Sequence, residues 1–188
     1  SAAVSEGARL GIPTAAHCIG GQGLKDCIDG GVDVIEHMYM ASEQDVERLA
    51  ASRCVVDLTS GIFLDPSREE FLSPANALKV RLNRSRVREN VARIIKARLP
   101  FVLGTDAYHG FLYREVGYAV ELGADPVTAI QGVTSRAARV CRLEDRIGKL
   151  ENGMEADIIA VEGNPLEDVS RLSQVGLVMK GGVVYRQP

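Results

Sequence analysis

Three stretches of the chain share one pattern, an apolar run that ends in a side chain able to bind a metal ion. They are residues 12–17 (IPTAAH), 32–37 (VDVIEH) and 101–106 (FVLGTD), and a fourth apolar run covers residues 54–58 (CVVDL). Short apolar runs that alternate with helical patterns are typical of buried parallel strands joined by helical crossovers. The sequence therefore predicts an α/β fold with four βα units.

Helices are predicted between the runs from apolar periodicity and from end signals. Ser42, with Asp45 three residues later, predicts the start of a helix over residues 42–52, and Asp125-Pro126 predicts the start of another that continues to Val140. Further helices are expected over residues 23–28, 85–99 and 113–122. Four βα units are half of an eight-stranded barrel, which needs about 250 residues, or they form a small open sheet.

The chain changes character after Leu143. Three short apolar stretches, residues 158–161, 177–179 and 183–185, are separated by Gly, Asn and Pro. Gly181-Gly182 between the last two is a plausible two-residue hairpin turn. The sequence predicts an α/β region over residues 1–142 and a small β element over residues 143–188.

The composition indicates a folded protein and gives no sign of nucleic acid or an anionic membrane as partner. The 188 residues are 46% hydrophobic, enough for a buried core, and the net charge of −3 gives no reason to expect nucleic acid or an anionic membrane as partner. The basic stretch over residues 79–98 carries apolar residues at helical spacing and is interpreted as a solvated amphipathic helix. Four cysteines without a CxxC pair indicate reduced, mostly buried thiols in a cytoplasmic protein.

Three of the apolar runs end in side chains that can bind a metal ion, and the predicted fold brings these side chains to the same face of the sheet. His17, His37 and Asp106 each end a predicted strand, and the carboxyl ends of parallel strands open onto one face. Imidazole and carboxylate are ligands that suit zinc and similar divalent ions, and a carboxylate beside such an ion can take a proton from water. Two plainer interpretations stay open: each histidine can be a satisfied core or loop residue, and Asp106 can cap the next helix.

The motifs that carry these residues resemble a known family. Residues 15–21 (AAHCIGG), 31–37 (GVDVIEH) and 102–107 (VLGTDA) resemble the fifth, sixth and eighth strands of the amidohydrolase superfamily barrel. Residues 147–169 (IGKLENGMEADIIAVEGNPLEDV) resemble the return of the chain to a small β-sandwich. The resemblance is nearest to the imidazolonepropionase-like and Xaa-Pro dipeptidase-like branch. It implies the last four βα units of a TIM-type (β/α) barrel followed by part of a composite β-sandwich.

The resemblance also implies roles for single residues. His17 and His37 are the expected metal ligands, and Asp106 is the expected third ligand and catalytic base. The implied cofactor is Zn²⁺ or another divalent ion, one or two per complete site, and the implied reaction is hydrolysis of a small amide, cyclic amide or dipeptide by metal-activated water. Tyr108 and His109, on the loop after Asp106, are candidates for contact with the substrate.

The sequence departs from the family pattern in one respect. It has no His-x-His pair, and the lysine that binuclear members carry on the fourth strand has no counterpart before His17. The expectation is a fragment that lacks the first four barrel units. Two alternatives follow: an enzyme completed by a second chain that supplies the N-terminal half, or an inactive half-barrel module that associates with itself through its open edges.

Overall fold

A four-stranded parallel sheet forms the centre of the computed structural model, which describes residues 2–106 and 109–187. The strands are β1 (Ala15–Cys18), β2 (Val34–His37), β3 (Val55–Leu58) and β4 (Phe101–Leu103). They lie side by side in sequence order, so β1 and β4 are the edges of an open sheet within the described residues. The prediction of an α/β fold with four βα units is confirmed.

Eight helices are described around this sheet. They are α1 (Ala2–Leu10), α2 (Gln22–Asp29), α3 (Glu43–Ala50), α4 (Gly61–Leu64), α5 (Pro74–Lys96), α6 (Leu112–Glu121), α7 (Pro126–Gly132) and α8 (Ser135–Val140). Short 3-10 helices cover Pro66–Phe71, His109–Phe111 and Val169–Ser173. In the described part of the chain, no helix has both the length and the apolar character needed to cross a membrane.

Two helix predictions are wrong in their bounds. The helix expected to start at residue 85 starts at Pro74, because Ser73 caps it by accepting a hydrogen bond from the Asn76 amide. The helix expected to run unbroken from Pro126 to Val140 divides into α7 and α8. The Thr134 hydroxyl donates to the Ile130 carbonyl at the break, so an acceptor at the end of α7 gains a partner there.

The core lies between the sheet and the helices. Ile35, Val56 and Leu58 of the strands are at most 1% exposed, and the predicted apolar face of α5 is buried. That face consists of Val87, Val91, Ile94 and Ile95. Cys18 belongs to the same core, as expected for a residue that points away from the site. All four cysteines are free; Cys18 and Cys54 are buried, Cys27 is half-buried and Cys141 is exposed.

The tail forms a separate antiparallel sheet of three strands, β5 (Ile158–Val161), β6 (Val175–Lys180) and β7 (Val183–Arg186). The predicted hairpin turn joins β6 to β7, with φ of 54° at Gly181 and 80° at Gly182. Val169 and Leu172 of the last 3-10 helix pack against the core of the α/β region. The small β element is confirmed, while the boundary at residue 143 stays a prediction.

Asp45 provides a test of the local packing. Its buried carboxylate closes the capping box with Ser42 and also accepts from the Gly21 amide at 3.1 Å, so it joins α3 to the turn after β1. Asp45→Ala should lower the free energy of unfolding by about 2 kcal/mol, because it removes a cap and further hydrogen bonds. Asp125→Ala, which removes an exposed cap alone, should cost about 1 kcal/mol. Equal losses in urea unfolding would contradict this account.

Candidate functional site

His17 and His37 meet at the carboxyl end of the sheet. Their ring centroids lie 4.7 Å apart at an interplanar angle of 66°. The contact does not follow from strand alternation, because His37 pairs with Cys18 in the register and His17 pairs with Glu36. His37 has a left-handed backbone, with φ of 80°, and this local turn accompanies the contact of its ring with His17.

Two residues hold the His37 ring in place. Its Nδ1 lies 2.7 Å from the hydroxyl oxygen of Thr59, the first residue after β3. The ring also stacks on Tyr39 with centroids 5.1 Å apart, and the Tyr39 hydroxyl donates to the Thr59 carbonyl at 2.9 Å. Because Thr59 occupies Nδ1, the opposite nitrogen, Nε2, is the one available to a ligand.

Asp106 follows β4 on the loop that the sequence predicted. Its backbone is left-handed, with φ of 48°, a conformation that Asp tolerates better than most residues. Its charge is close enough to influence His37: burial lowers the pKa of His37, His17 adds to that effect, and the Asp106 and Glu36 carboxylates oppose it. Asp106 is thus an electrostatic neighbour of His37, and its role as a metal ligand stays a prediction.

The predicted ligands do not form a complete metal site by themselves. Among the side chains that the structure describes, no group of three or more His, Cys, Asp or Glu residues is arranged to hold a metal ion. The histidine pair supplies two nitrogen donors, and Asp106 is an electrostatic neighbour. Tyr108 and the side chain of His109 lie outside the described residues, so their proposed contact with a substrate stays a prediction.

A row of polar side chains continues from His17 across the sheet. The register pairs His17 with Glu36 and Glu36 with Asp57, and paired residues share a face. Burial, followed by the neighbouring Glu36 carboxylate, raises the pKa of Asp57 to about 8. The Asp57 carboxylate lies against Gly104, where a Cβ atom would come within 2.8 Å of Oδ2, so glycine at this position leaves the carboxylate its space.

Sequence reasoning missed three of these residues. Tyr39 and Asp57 gave no separate signal, because each lies in or beside an apolar run and its role depends on neighbours from other strands. Thr59 had a usable signal. It is the polar residue that follows the third strand, and the rule that selected His17, His37 and Asp106 selects it as well.

The raised pKa of Asp57 makes stability depend on pH. Between pH 3.8 and about 8 the folded protein retains a proton that the unfolded chain releases, so stability should fall as pH rises through this range. Asp57→Asn should raise the Tm at pH 8.5 by about 2–4 °C or more. It should also flatten the profile of Tm against pH, with both measurements made in the presence of a chelator. Asp145→Asn, at an exposed turn, serves as the control, and an unchanged profile in Asp57→Asn would contradict the assignment.

Known proteins similar to this chain share the architecture that carries the site. The crystal structure of a Xaa-Pro dipeptidase with bound methionine superposes with a TM-score of 0.88 at 30% identity, covering 98% of this chain and 47% of that one. The crystal structure of ochratoxinase from Aspergillus niger gives a TM-score of 0.82 at 30% identity, covering 98% and 44%.

The sequence comparisons agree with the structural ones. Ochratoxinase from Aspergillus niger is 33% identical over 198 residues, covering 98% of this chain and 40% of that protein. Imidazolonepropionase from Desulfotalea psychrophila is 25% identical over 151 residues, covering 77% and 32%. The chain thus spans 32% to 47% of the length of these relatives. Residues 1–185 match the model of the Amidohydrolase family, and the chain therefore belongs to that family.

Proposed function

We propose that this chain supplies the fifth-, sixth- and eighth-strand part of the active site of a metal-dependent amidohydrolase. The observation that carries the proposal is the contact between His17 and His37, with Nδ1 of His37 bound by Thr59 and Asp106 across the same end of the sheet. Membership of the Amidohydrolase family supports hydrolysis of an amide-type C–N bond.

The chemistry of these side chains fits a divalent ion. His17 is exposed and His37 presents one imidazole nitrogen, since the hydroxyl of Thr59 takes the other. Neutral imidazole is the form that binds metal, and the lowered pKa of His37 keeps that form present at neutral pH. Two nitrogens and one carboxylate equal the three protein ligands of a catalytic zinc ion that keeps its fourth position open, and the His-x-His pair of the family pattern would add further ligands.

Each residue then has a distinct role. His17 and His37 would bind the ion, and Thr59 would orient His37 through its Nδ1. Asp106, on its left-handed turn, would accept the proton of the attacking water and pass it to the departing nitrogen. A bound divalent ion would supply the Lewis acid that polarises the scissile carbonyl and makes water a nucleophile near neutral pH.

The substrate class follows from the same proposal. The similar proteins include a Xaa-Pro dipeptidase, an ochratoxinase and an imidazolonepropionase. A small molecule with an amide, cyclic amide or dipeptide bond is the substrate that we assign to the complete site. Tyr108 and His109 follow Asp106 by two and three positions, and we keep them as proposed substrate contacts.

The open sheet supports a proposal about the partner that would complete the site. β1 and β4 are its edges, and Ile12 and Ile19 beside β1 are 55% and 47% exposed. Edges that have no partner strand among residues 2–106 and 109–187, together with exposed apolar side chains, favour continuation of the sheet into other strands. We propose that the N-terminal half of an amidohydrolase barrel, in the same or a second chain, supplies those strands and the missing ligands. A second copy of this half is the alternative.

Metal uptake tests the proposed ligands directly. Equilibrium dialysis against Zn²⁺, followed by elemental analysis, should give about one ion per wild-type chain. His17→Ala and Asp106→Ala should each reduce that content severalfold. Cys141→Ser removes the exposed thiol and should leave the content unchanged, which excludes adventitious binding there. Equal uptake by wild type and His17→Ala would refute the site.

Thr59→Val tests the orientation of His37 without touching a ligand. Valine has nearly the shape of threonine but lacks the hydroxyl that binds Nδ1 at 2.7 Å. We expect Zn²⁺ affinity to fall by about 10- to 100-fold, measured by competition with a chelating dye. Thr128→Val, on α7, is the matched control and should leave the affinity unchanged. Unchanged affinity in Thr59→Val would show that the hydroxyl does not orient the ring.

A further inference from the structure

A buried ion pair lies between the loops that follow β3 and β4. The side chains of Arg68 and Glu115 are both 0% exposed, and Nη2 of Arg68 donates to Oε1 of Glu115 at 2.9 Å. Nη1 of the same guanidinium donates to the carbonyl oxygen of Thr105 at 3.2 Å. The Glu115 carboxylate accepts from the Gly61 amide, with 3.0 Å to each oxygen.

Both backbone partners of this pair stand beside the candidate site. Thr105 is the residue before Asp106, and Gly61 follows Thr59 by two positions. Since the Thr59 hydroxyl bonds Nδ1 of His37, the pair is linked through one loop to His37 and through the other to Asp106. It is therefore a direct connection between the two loops that carry the site.

The connection leaves little room for movement. A Cβ atom at Gly61 would lie 2.4 Å from both Nη2 of Arg68 and Oε1 of Glu115, so the backbone fits closely against the pair. The guanidinium also lies 5.6 Å from the centroid of the Phe111 ring. On its other side, Asp65 approaches Nε of Arg68 at 3.7 Å and is itself bound by Arg114 at 2.5 Å.

The Arg68–Glu115 pair is better explained by the fixed directions of its hydrogen bonds than by a contribution to the free energy of unfolding. Two arginines and two carboxylates balance their charges here, and Arg68 and Glu115 are fully buried. Removing such charges from water costs about as much as their attraction returns, so a buried pair is weak evidence for stabilisation. The planar guanidinium, in contrast, offers donors in fixed directions, and here these reach a carboxylate and a carbonyl from different elements.

We propose that Arg68 and Glu115 are positioning residues that hold the loops after β3 and β4 in a fixed relation, and so fix His37 relative to Asp106. Neither side chain is assigned to the substrate or to a metal ion. The consequence for catalysis rests on the function proposed above, whereas the relation between the loops can be measured without it.

The test uses NMR of the 188-residue chain in chelator, with the His37 ring nitrogens and the Asp106 amide as reporters. Arg68→Lys keeps the charge, but a lysine cannot reproduce the forked donation to Glu115 and Thr105. We expect both reporters to shift in this variant. Glu115→Gln, which keeps one oxygen acceptor, should shift them less.

A control separates positioning from a general loss of stability. Leu99→Ala creates a cavity at the opposite end of β4 from Thr105 and should lower the Tm without moving either reporter. If Arg68→Lys lowers the Tm and both reporters stay where they are in wild type, the pair is merely structural and the inference is overturned.

Zn²⁺ affinity then distinguishes the two proposals. If wild type binds Zn²⁺, Arg68→Lys should weaken binding by about 10-fold or more, as loss of an outer-shell partner does, and Leu99→Ala should not. If wild type binds none while the reporters still shift in Arg68→Lys, the positioning role stands and the proposed function, as tested on this chain, fails. Full Zn²⁺ affinity and unshifted reporters in Arg68→Lys would overturn the positioning role alone.

Discussion

Parallel pairing of four strands in sequence order is the constraint on which the rest of the structure depends. Val34 pairs with both Ala15 and Val55, and Val56 pairs with Phe101, so all four strands start at one end of the sheet and finish at the other. The apolar residues of the strands contribute to one core, while the residues that follow them collect along one rim. The apolar core residues and the polar residues of the candidate site are thereby placed at different positions along each strand, as is usual in parallel α/β folds.

The regular pairing of the strands explains where the candidate site lies but not how its side chains are oriented. His37 and Asp106 both depart from the regular backbone, with φ of 80° and 48°. Such conformations cost free energy, on the order of 1 kcal/mol or more each, and persist where surrounding contacts hold them. Thr59 holds the ring of His37, and Arg68 holds the carbonyl that precedes Asp106. The candidate site thus lies on a regular parallel sheet, and polar contacts hold the two residues whose backbone is irregular, His37 and Asp106.

The strands and the rim could be predicted from the sequence because their signals are local. Apolar runs mark the strands, and the candidate metal ligands lie within those strands or up to three positions after them. The break between α7 and α8 could not be predicted, because the helical pattern continues through Val133 and Thr134. The Arg68–Glu115 pair joins residues 47 positions apart, and no local pattern distinguishes a buried arginine from a solvated one. The contact of Tyr108 and His109 with a substrate remains a prediction.

The most direct test of the central claim is an anomalous difference map at the zinc absorption edge, from crystals of this protein grown with Zn²⁺. The account predicts one strong peak at the carboxyl end of the sheet, with Nε2 of His37 and a nitrogen of His17 at about 2.0–2.1 Å and a carboxylate oxygen of Asp106 at about 2.0–2.2 Å. A map with no peak there, or with zinc bound through Nδ1 of His37 and Thr59 displaced, would contradict it.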